Sequence, residues 1–595
     1  MCGLIANFPK EFNTNSDVAL RLGLARMQAR GPDSEGIWQA EDAILGHRRL
    51  AILDLDERAA QPMFSPCGRY VMVFNGEIYN YRALKAELQA SGVLFKTESD
   101  SEVILALFAR EGEGMLPKLR GMFALVIWDT QDKRGFAARD PYGIKPLYYA
   151  QTSDGLWFAS QVKALLATQQ VSSKADVIGQ SSFWFFGSVA EPDTWYEHIK
   201  CLPAGHYVWI SEGSLEKSPC AYWNIAEDFR TSPTEIYSSE HVQAEVRAAM
   251  QESVSAHLVS DVPVAVFLSG GIDSGSLAGL MVEAGAKNLH GITVGFREFE
   301  GKHENEVPVA AELAARYGIQ HHIRWVSKQE FLADLPLILD AMDQPSIDGV
   351  NTWFASKAVA ELGLKVVVSG VGGDELFQGY SNFTSVPKLV SGTRLAAKMP
   401  GGMHLMQWLC DWQSRRSGNA RWRYTPSFAR SIQGAWHLSR SMHSPDEVKE
   451  LLQNPIFGEF NPKQFVTERM GNVSENPALA VSQMESCFYM RNQLLRDSDW
   501  ASMAHSVELR TPLVDAHMLR KLSPYLHEFQ KFPNKSLLSG SVRPLLPNTI
   551  LQRSKTGFGV PMGRWLSEQS QSSSGGLASK AWSMQIVSSF NAEVG

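Results

Sequence analysis

The chain is predicted to fold as an α+β layered domain followed by an α/β domain built on a parallel sheet, and three observations predict it. At 595 residues it exceeds what a single hydrophobic core supports, so two or three domains are expected. From residue 2 to about 210, short β-like runs (GLIANF, YVMVFNG, FALVIWD, GFAARD, LYYA, LWFAS) are separated by helical stretches at 17–30, 79–90 and 100–110, where apolar residues recur every three or four positions. From about 240, helix and strand alternate in the manner that places helices over both faces of a parallel sheet. Between the two, 211–238 breaks the pattern with Ser, Pro and charge and reads as a linker.

In the second half, 240–258 reads as a helix and VPVAVFL as a buried strand. SGGIDSGSLAGLMVEAG then reads as a glycine-rich turn entering a helix, and LHGITVGF at 289–296 as the next strand. The synthetic half extends from 239 to 566. The polar stretch SEQSQSSSGG at 567–576 marks 567–595 as a flexible tail.

Composition excludes several classes. A formal net charge of −7 argues against a nucleic-acid binder. The six cysteines, at 2, 67, 201, 220, 410 and 487, form no CxxC pair and no zinc-ligand spacing, which suits reduced thiols in a cytoplasmic protein. No apolar run approaches the ~18 residues that span a bilayer, so no membrane partner is expected.

Chemistry starts at Cys2. If Met1 is removed, one residue supplies a thiol and an α-amine, and an amine with a pKa of roughly 7.7–8.0 can take the thiol proton near neutrality. Asn75-Gly76 follows an apolar strand and by itself reads as a hairpin turn. Asp100 after Ser99 reads as a helix N-cap. In the second half, the SGG turn at a helix start forms a nest of backbone N–H groups suited to phosphate, and no GxxxxGK[ST] loop is present.

Taken together, the N-terminal CG, RGPD, HRRLAI, NGEIYN, SD-x-EVI and RDPYGIKPLYY resemble the glutaminase domain of class II glutamine amidotransferases, an N-terminal nucleophile hydrolase layered sandwich. The resemblance implies that Cys2 is the nucleophile and that Asn75 and the Gly76 N–H form an oxyanion hole. It also implies that Arg49 clamps the glutamine carboxylate, while Asp100 and Glu77 hold its ammonium.

SGGIDS at 269–274 resembles the pyrophosphate loop of ATP-pyrophosphatases. SGVGGDELFQGY, LLRDSDWASMAHSVELRTPLVD and RSKTGFGVP match further blocks of the asparagine synthetase C-terminal domain. That likeness implies an ATP site at Leu268, Ser269, Gly270, Gly271, Asp273, Ser274, Val294, Ser369 and Gly370, with Mg²⁺ held by Asp273 and Asp374. Lys555 and Arg496 would be the cations facing developing phosphate charge, and Glu306, with Glu304, would be an acidic metal-proximal residue.

The whole is similar to glutamine-hydrolysing asparagine synthetases. Ammonia freed from glutamine would attack an acceptor carboxylate that ATP has adenylated, and a homodimer is allowed. Aspartate is the expected acceptor. One departure opens an alternative, a uronic acid or a secondary-metabolite acid: where the family commonly carries an acidic residue after SG, this chain has Val371. If aspartate is still the acceptor, another acidic group such as Asp343, Asp348 or Glu375 would have to serve in place of that residue. Ala29 also stands where relatives often carry His. A remote alternative is a regulatory protein that binds glutamine or ATP without turnover.

Overall fold

The computed structural model describes residues 2–11, 15–232, 235–452, 462–553, 559–565 and 575–592. The first domain stacks two antiparallel sheets. In the first, Gly3–Pro9 lies between Ile44–Arg49 and Gly155–Ala159; in the second, Tyr70–Ile78, Gly121–Asp129, Arg134–Arg139 and His206–Ser211 are successive neighbours.

Strand alternation explains the layering. Leu4, Ala6 and Phe8 meet Val71, Val73, Ala124 and Val126 in the core between the sheets. Ile5 faces the opposite way, against the helix Asn15–Arg26. Met72 and Phe74 face the helix Asp100–Glu111. The same phase carries Cys2 and Asn75 to the inter-sheet side at one end of the sandwich.

The second domain holds a five-stranded parallel sheet in the order Gln320–Val326, His290–Phe296, Val264–Phe267, Val366–Val368, Glu508–Arg510. The strands at its centre, Val264–Phe267 and Val366–Val368, are short and apolar because helices cover both faces. The order reverses beside Val264–Phe267, and the loops after it and after Val366–Val368 open into the same crevice, where ligands of such sheets bind.

Two boundaries differ from expectation. The segment 211–238 is not merely a linker: Ser214–Leu215 and Cys220–Ala221 both pair with His206–Ser211 in the second sheet, and Ile225–Asp228 is helical. At the other end, Gly575–Ala592 is a helix rather than a flexible tail, with Trp582, Ile586 and Phe590 buried. Its four-residue apolar spacing is a helical stripe that the preceding serine-rich run obscures. Phe590 packs on Trp195, with ring centroids 6.0 Å apart, so this helix closes back onto the first domain.

The two halves meet through charged groups that are almost completely buried. Arg30 forks onto Asp499 with Nη1–Oδ2 at 2.6 Å and Nη2–Oδ1 at 3.1 Å, the two side chains being 2% and 5% exposed. Arg30 Nε also donates to the Cys2 carbonyl at 3.1 Å, and Lys145 Nζ lies 3.6 Å from Asp499. Stripping one partner from such a pair costs about 3–5 kcal/mol, because the remaining charge is left dry and uncompensated. Ser506 donates to the Ala29 carbonyl at 2.6 Å, and the Asp54 N–H donates to Asp261, extending the seam.

Candidate active sites

At the first site the Cys2 backbone nitrogen donates to Asn75 Oδ1 at 2.9 Å. The Asn75 amide nitrogen is 3.5 Å from Ser160 Oγ, a long contact that leaves it able to donate elsewhere. Asn75-Gly76 forms no hairpin turn: both lie inside Tyr70–Ile78, opposite Ala124 and Phe123. A Cβ at Gly76 would sit 2.2 Å from the Met122 carbonyl oxygen, so close strand approach requires glycine here. Burial raises the Cys2 thiol pKa, with Arg49 acting in the opposite direction. The thiol therefore stays protonated until a base takes its proton.

Arg49 is held at its rim by loop carbonyls. Nη1 donates to Asp56 O at 2.9 Å, and Nη2 donates to Asp54 O. Asp100 is the first residue of its helix; Ser99 is the cap, accepting from the Ser101 N–H at 3.2 Å. The Asp100 carboxylate instead accepts the Ile78 N–H at 2.9 Å, and burial pushes its pKa up to about 6. Burial also raises Glu77 well above the ordinary range, helped by its neighbours Glu508 and Asp100.

Glu508 and Arg510 come from the last strand of the second domain, so the other half of the chain closes this pocket. Arg510 is fully buried. It donates to Glu508 at 2.6 Å and to the His257 and Val259 carbonyls at 2.8 and 2.6 Å, and it lies 3.9 Å from Glu77.

The second site is a cavity of about 240 Å³ at the crevice of the parallel sheet. It collects Leu268, Ser269, Asp273, Ser274, Val294, Ser369, Gly370 and Asp374 from the sequence-derived set, together with Val371. Gly270 and Gly271 form the adjoining turn, Gly271 standing at the N-terminus of Ile272–Glu283. Ser274 Oγ bonds Ser269 Oγ at 2.8 Å and accepts the Ser269 N–H at 3.1 Å, which fixes the loop. A Cβ at Gly270 would lie 2.7 Å from Arg553 Nη1, so glycine lets that cation sit against the loop.

Sequence reasoning missed Lys535. Its ammonium bridges Asp273, with Oδ1 at 2.8 Å and Oδ2 at 2.6 Å, and Asp374. Asn534 and Lys535 both have φ of 55°, a conformation that non-glycine residues rarely adopt, and the surrounding packing holds the lysine there. No motif marks it. The two carboxylates evidently converge on one cation position, which fits a site for Mg²⁺.

Three expectations fare differently. Arg496 does not face the nucleotide cavity: on its helix Asp497 and Ser498 do, while Arg496 points to the first domain and donates to Val189 O at 2.5 Å. Glu306 precedes the helix Val307–Tyr317 and, with Glu304, lines a small separate pocket beyond Val294. Lys555 lies outside the described residues, as does Met1.

Around Val371 the cavity wall carries Asp348, Glu375 and Asp497, but not Asp343, which caps another helix by accepting the Val162 and Lys163 N–H groups at 2.9 and 3.0 Å. Asp497 accepts from Ser346 Oγ at 2.7 Å and Trp500 Nε1 at 2.8 Å; burial and the neighbouring Asp348 raise its pKa to about 7. Tyr380 OH donates to Glu375 at 2.7 Å.

Two small voids of about 10 Å³ each share lining residues with one another, and one of them with the large cavity. Ser160, which accepts the Leu4 N–H at 3.1 Å beside Asn75, lines one void together with Asp499. Asp499 and Ser498 line the next, and Ser498 also lines the large cavity.

The chain matches two families: the glutamine amidotransferase domain over residues 1–223 and asparagine synthase over residues 245–584. It is 32% identical to asparagine synthetase [glutamine-hydrolyzing] 1 of Bacillus subtilis, over 96% of this chain and 88% of that protein. It is also 32% identical to asparagine synthetase B of Escherichia coli, over 65% and 66% of the two chains. With amidase chry2 of Gibberella zeae it shares 27% identity, over 95% of this chain and 90% of that one.

Proposed function

The chain belongs to the glutamine-hydrolysing asparagine synthetase family and carries out glutamine-dependent, ATP-driven amidation; from that premise we propose that its acceptor is aspartate and that the two sites above divide the work. In the first, the Cys2 α-amine, oriented by Asn75 Oδ1, takes the thiol proton as sulfur attacks the glutamine amide carbon. The Asn75 amide and the Gly76 N–H receive the oxyanion, an interaction whose loss costs ~10²–10³ in rate where measured. The amine returns the proton to departing ammonia, and water cleaves the thioester to glutamate. Arg49 takes the substrate carboxylate, and Glu77 with Asp100 takes its ammonium.

In the second site, an acceptor carboxylate oxygen attacks the α-phosphorus of ATP and pyrophosphate leaves. Ser269, Gly270, Gly271 and Ser274 cradle the departing group at the helix N-terminus, with Arg553 and Lys535 as cations. Asp273 and Asp374 would hold Mg²⁺, which supplies charge neutralisation to the phosphate oxygens. Ammonia nitrogen then bonds the acyl carbon, AMP leaves, and a carboxylate takes the excess proton.

The route for ammonia runs past Ser160, Asp499 and Ser498. The single observation supporting an amino-acid acceptor is the trio Asp348, Glu375 and Asp497 on the cavity wall, which can hold an α-ammonium and accept a proton where Val371 cannot. A second reading, a different carboxylate, is favoured by Val371 itself.

Separation of sites gives reciprocal outcomes: Cys2→Ala abolishes glutamine-dependent amidation and keeps synthesis from ammonium salts, whereas Asp273→Asn abolishes pyrophosphate release and keeps glutamine hydrolysis. Equal loss of both activities in either folded variant would contradict the assignment.

Because Asp100 must be ionised to hold the substrate ammonium and titrates near 6, the KM for glutamine should rise as pH falls below about 6. Asp100→Asn should remove that rise and weaken binding at all pH values. A KM independent of pH between 5 and 7.5, on the order of that window, would exclude the role.

The acceptor is tested by aspartate-dependent AMP formation beside a panel of sugar acids. Wild type is expected to amidate aspartate, Asp497→Asn to lose at least ~10² of that rate, and Val371→Glu to restore part of it in the Asp497→Asn background. Activity on a sugar acid with none on aspartate would establish the second reading.

A further inference from the structure

Among the described residues, nothing covers one apolar face of a helical hairpin in the second domain. Asn382–Lys398 and Gly402–Ser417 are its arms, followed by a short 3₁₀ turn at Ala420–Tyr424. On the second arm, Leu405, Trp408, Leu409 and Trp412 recur at three- and four-residue steps, one stripe of a helix. That stripe faces outward: Leu405 is 58% exposed, Trp408 62%, Leu409 46% and Trp412 48%. Cys410 and Ser414 occupy the buried side. Leu395 and Met399 near the tip, and Trp422 beyond it, are exposed as well. Isolated surface apolars need no explanation, but two tryptophans and two leucines on one bare helix face do.

Charge narrows what covers this face. Residues 382–424 carry seven Lys and Arg against the single acid Asp411, in a chain whose net charge is −7. Lys388, Arg394, Lys398, Arg415, Arg416 and Arg423 are all exposed. The Arg416 guanidinium lies over the Trp412 ring, 5.3 Å from its centroid. A second copy meeting this hairpin with its own would set its exposed cations against the same cations, so self-association is penalised by like charge. Indole rings beside long basic side chains are the composition of a helix lying in a lipid interface, where the rings enter the headgroup boundary and the cations meet anionic lipid.

We propose that this hairpin docks the protein, reversibly and without insertion of a spanning segment, on an anionic lipid surface. No helix among the described residues is long and apolar enough to cross a membrane, so the contact lies on the surface. The hairpin is rooted beside the acceptor cavity. Tyr380 lines that cavity, and the first arm begins two residues later. The expectation of no membrane partner tested only for spanning runs, which an interfacial helix does not contain.

The test is co-sedimentation of the full chain with vesicles of phosphatidylcholine alone and of phosphatidylcholine with roughly a third phosphatidylglycerol. Binding is expected to the anionic vesicles only, with a blue shift of tryptophan emission and release as salt rises. The double variant Trp408→Glu, Trp412→Glu should lower the bound fraction ~10-fold while ATP-dependent pyrophosphate release is unchanged. The milder Arg415→Ser, Arg416→Ser variant should weaken binding and its salt dependence together.

Three results would overturn the proposal. They are no binding to anionic vesicles, equal binding by the tryptophan variant, and a wild-type dimer that the tryptophan variant converts to monomer, which would assign the face to a second copy.

Discussion

The fork from Arg30 to Asp499 is the interaction on which the rest of the arrangement depends. One guanidinium reaches the carbonyl of Cys2 with Nε and a carboxylate of the second domain with both terminal nitrogens, all out of contact with water. A buried pair of this kind is weak evidence for stability, since two apolar groups could fill the space at lower desolvation cost. Its value is positional. It fixes the residue that carries the thiol against the helix whose next residues line both the small voids and the nucleotide cavity, so neither domain can shift without stranding a charge.

The same seam brings residues of the second domain against the first site. Glu508 and Arg510, at the edge of the parallel sheet, set the electrostatic surroundings of Glu77 and Asp100 in the first domain. Burial is the largest influence on all four groups: it raises the pKa of Glu77 and Asp100, whereas at Glu508 the N-terminal charge and Arg510 outweigh it and hold the carboxyl below its ordinary range. Within the interface, charge is therefore rationed to places where a partner is fixed. The passage proposed between such walls would exclude bulk water and so keep ammonia unprotonated and nucleophilic.

Much of the architecture was legible because it is written in short periods. Alternation of two separated the faces of Gly3–Pro9 and Tyr70–Ile78, and glycine-rich turns after apolar strands marked the crevice of the parallel sheet. Most of the nucleotide-loop positions fall on one cavity for the same reason: they are local to those turns. Lys535 and Arg30 were not legible as site residues. Each acts on groups hundreds of positions away, and nothing in KFPNKS or RGPD states where the side chain ends. Arg496 shows the converse error, since a cation one residue from the cavity wall on a helix points elsewhere. The C-terminal helix was missed because composition outweighed the spacing of Trp582, Ile586 and Phe590.

The direct measure of the coupling ascribed to Arg30 and Asp499 is the ratio of glutamate formed to pyrophosphate released during glutamine-dependent turnover. In the wild type the ratio should stay close to one. In Arg30→Met, with both half-reactions still active when assayed alone, glutamate should outrun pyrophosphate several-fold as ammonia escapes through a loosened seam. A variant that loses the fork yet keeps the wild-type ratio would contradict the account.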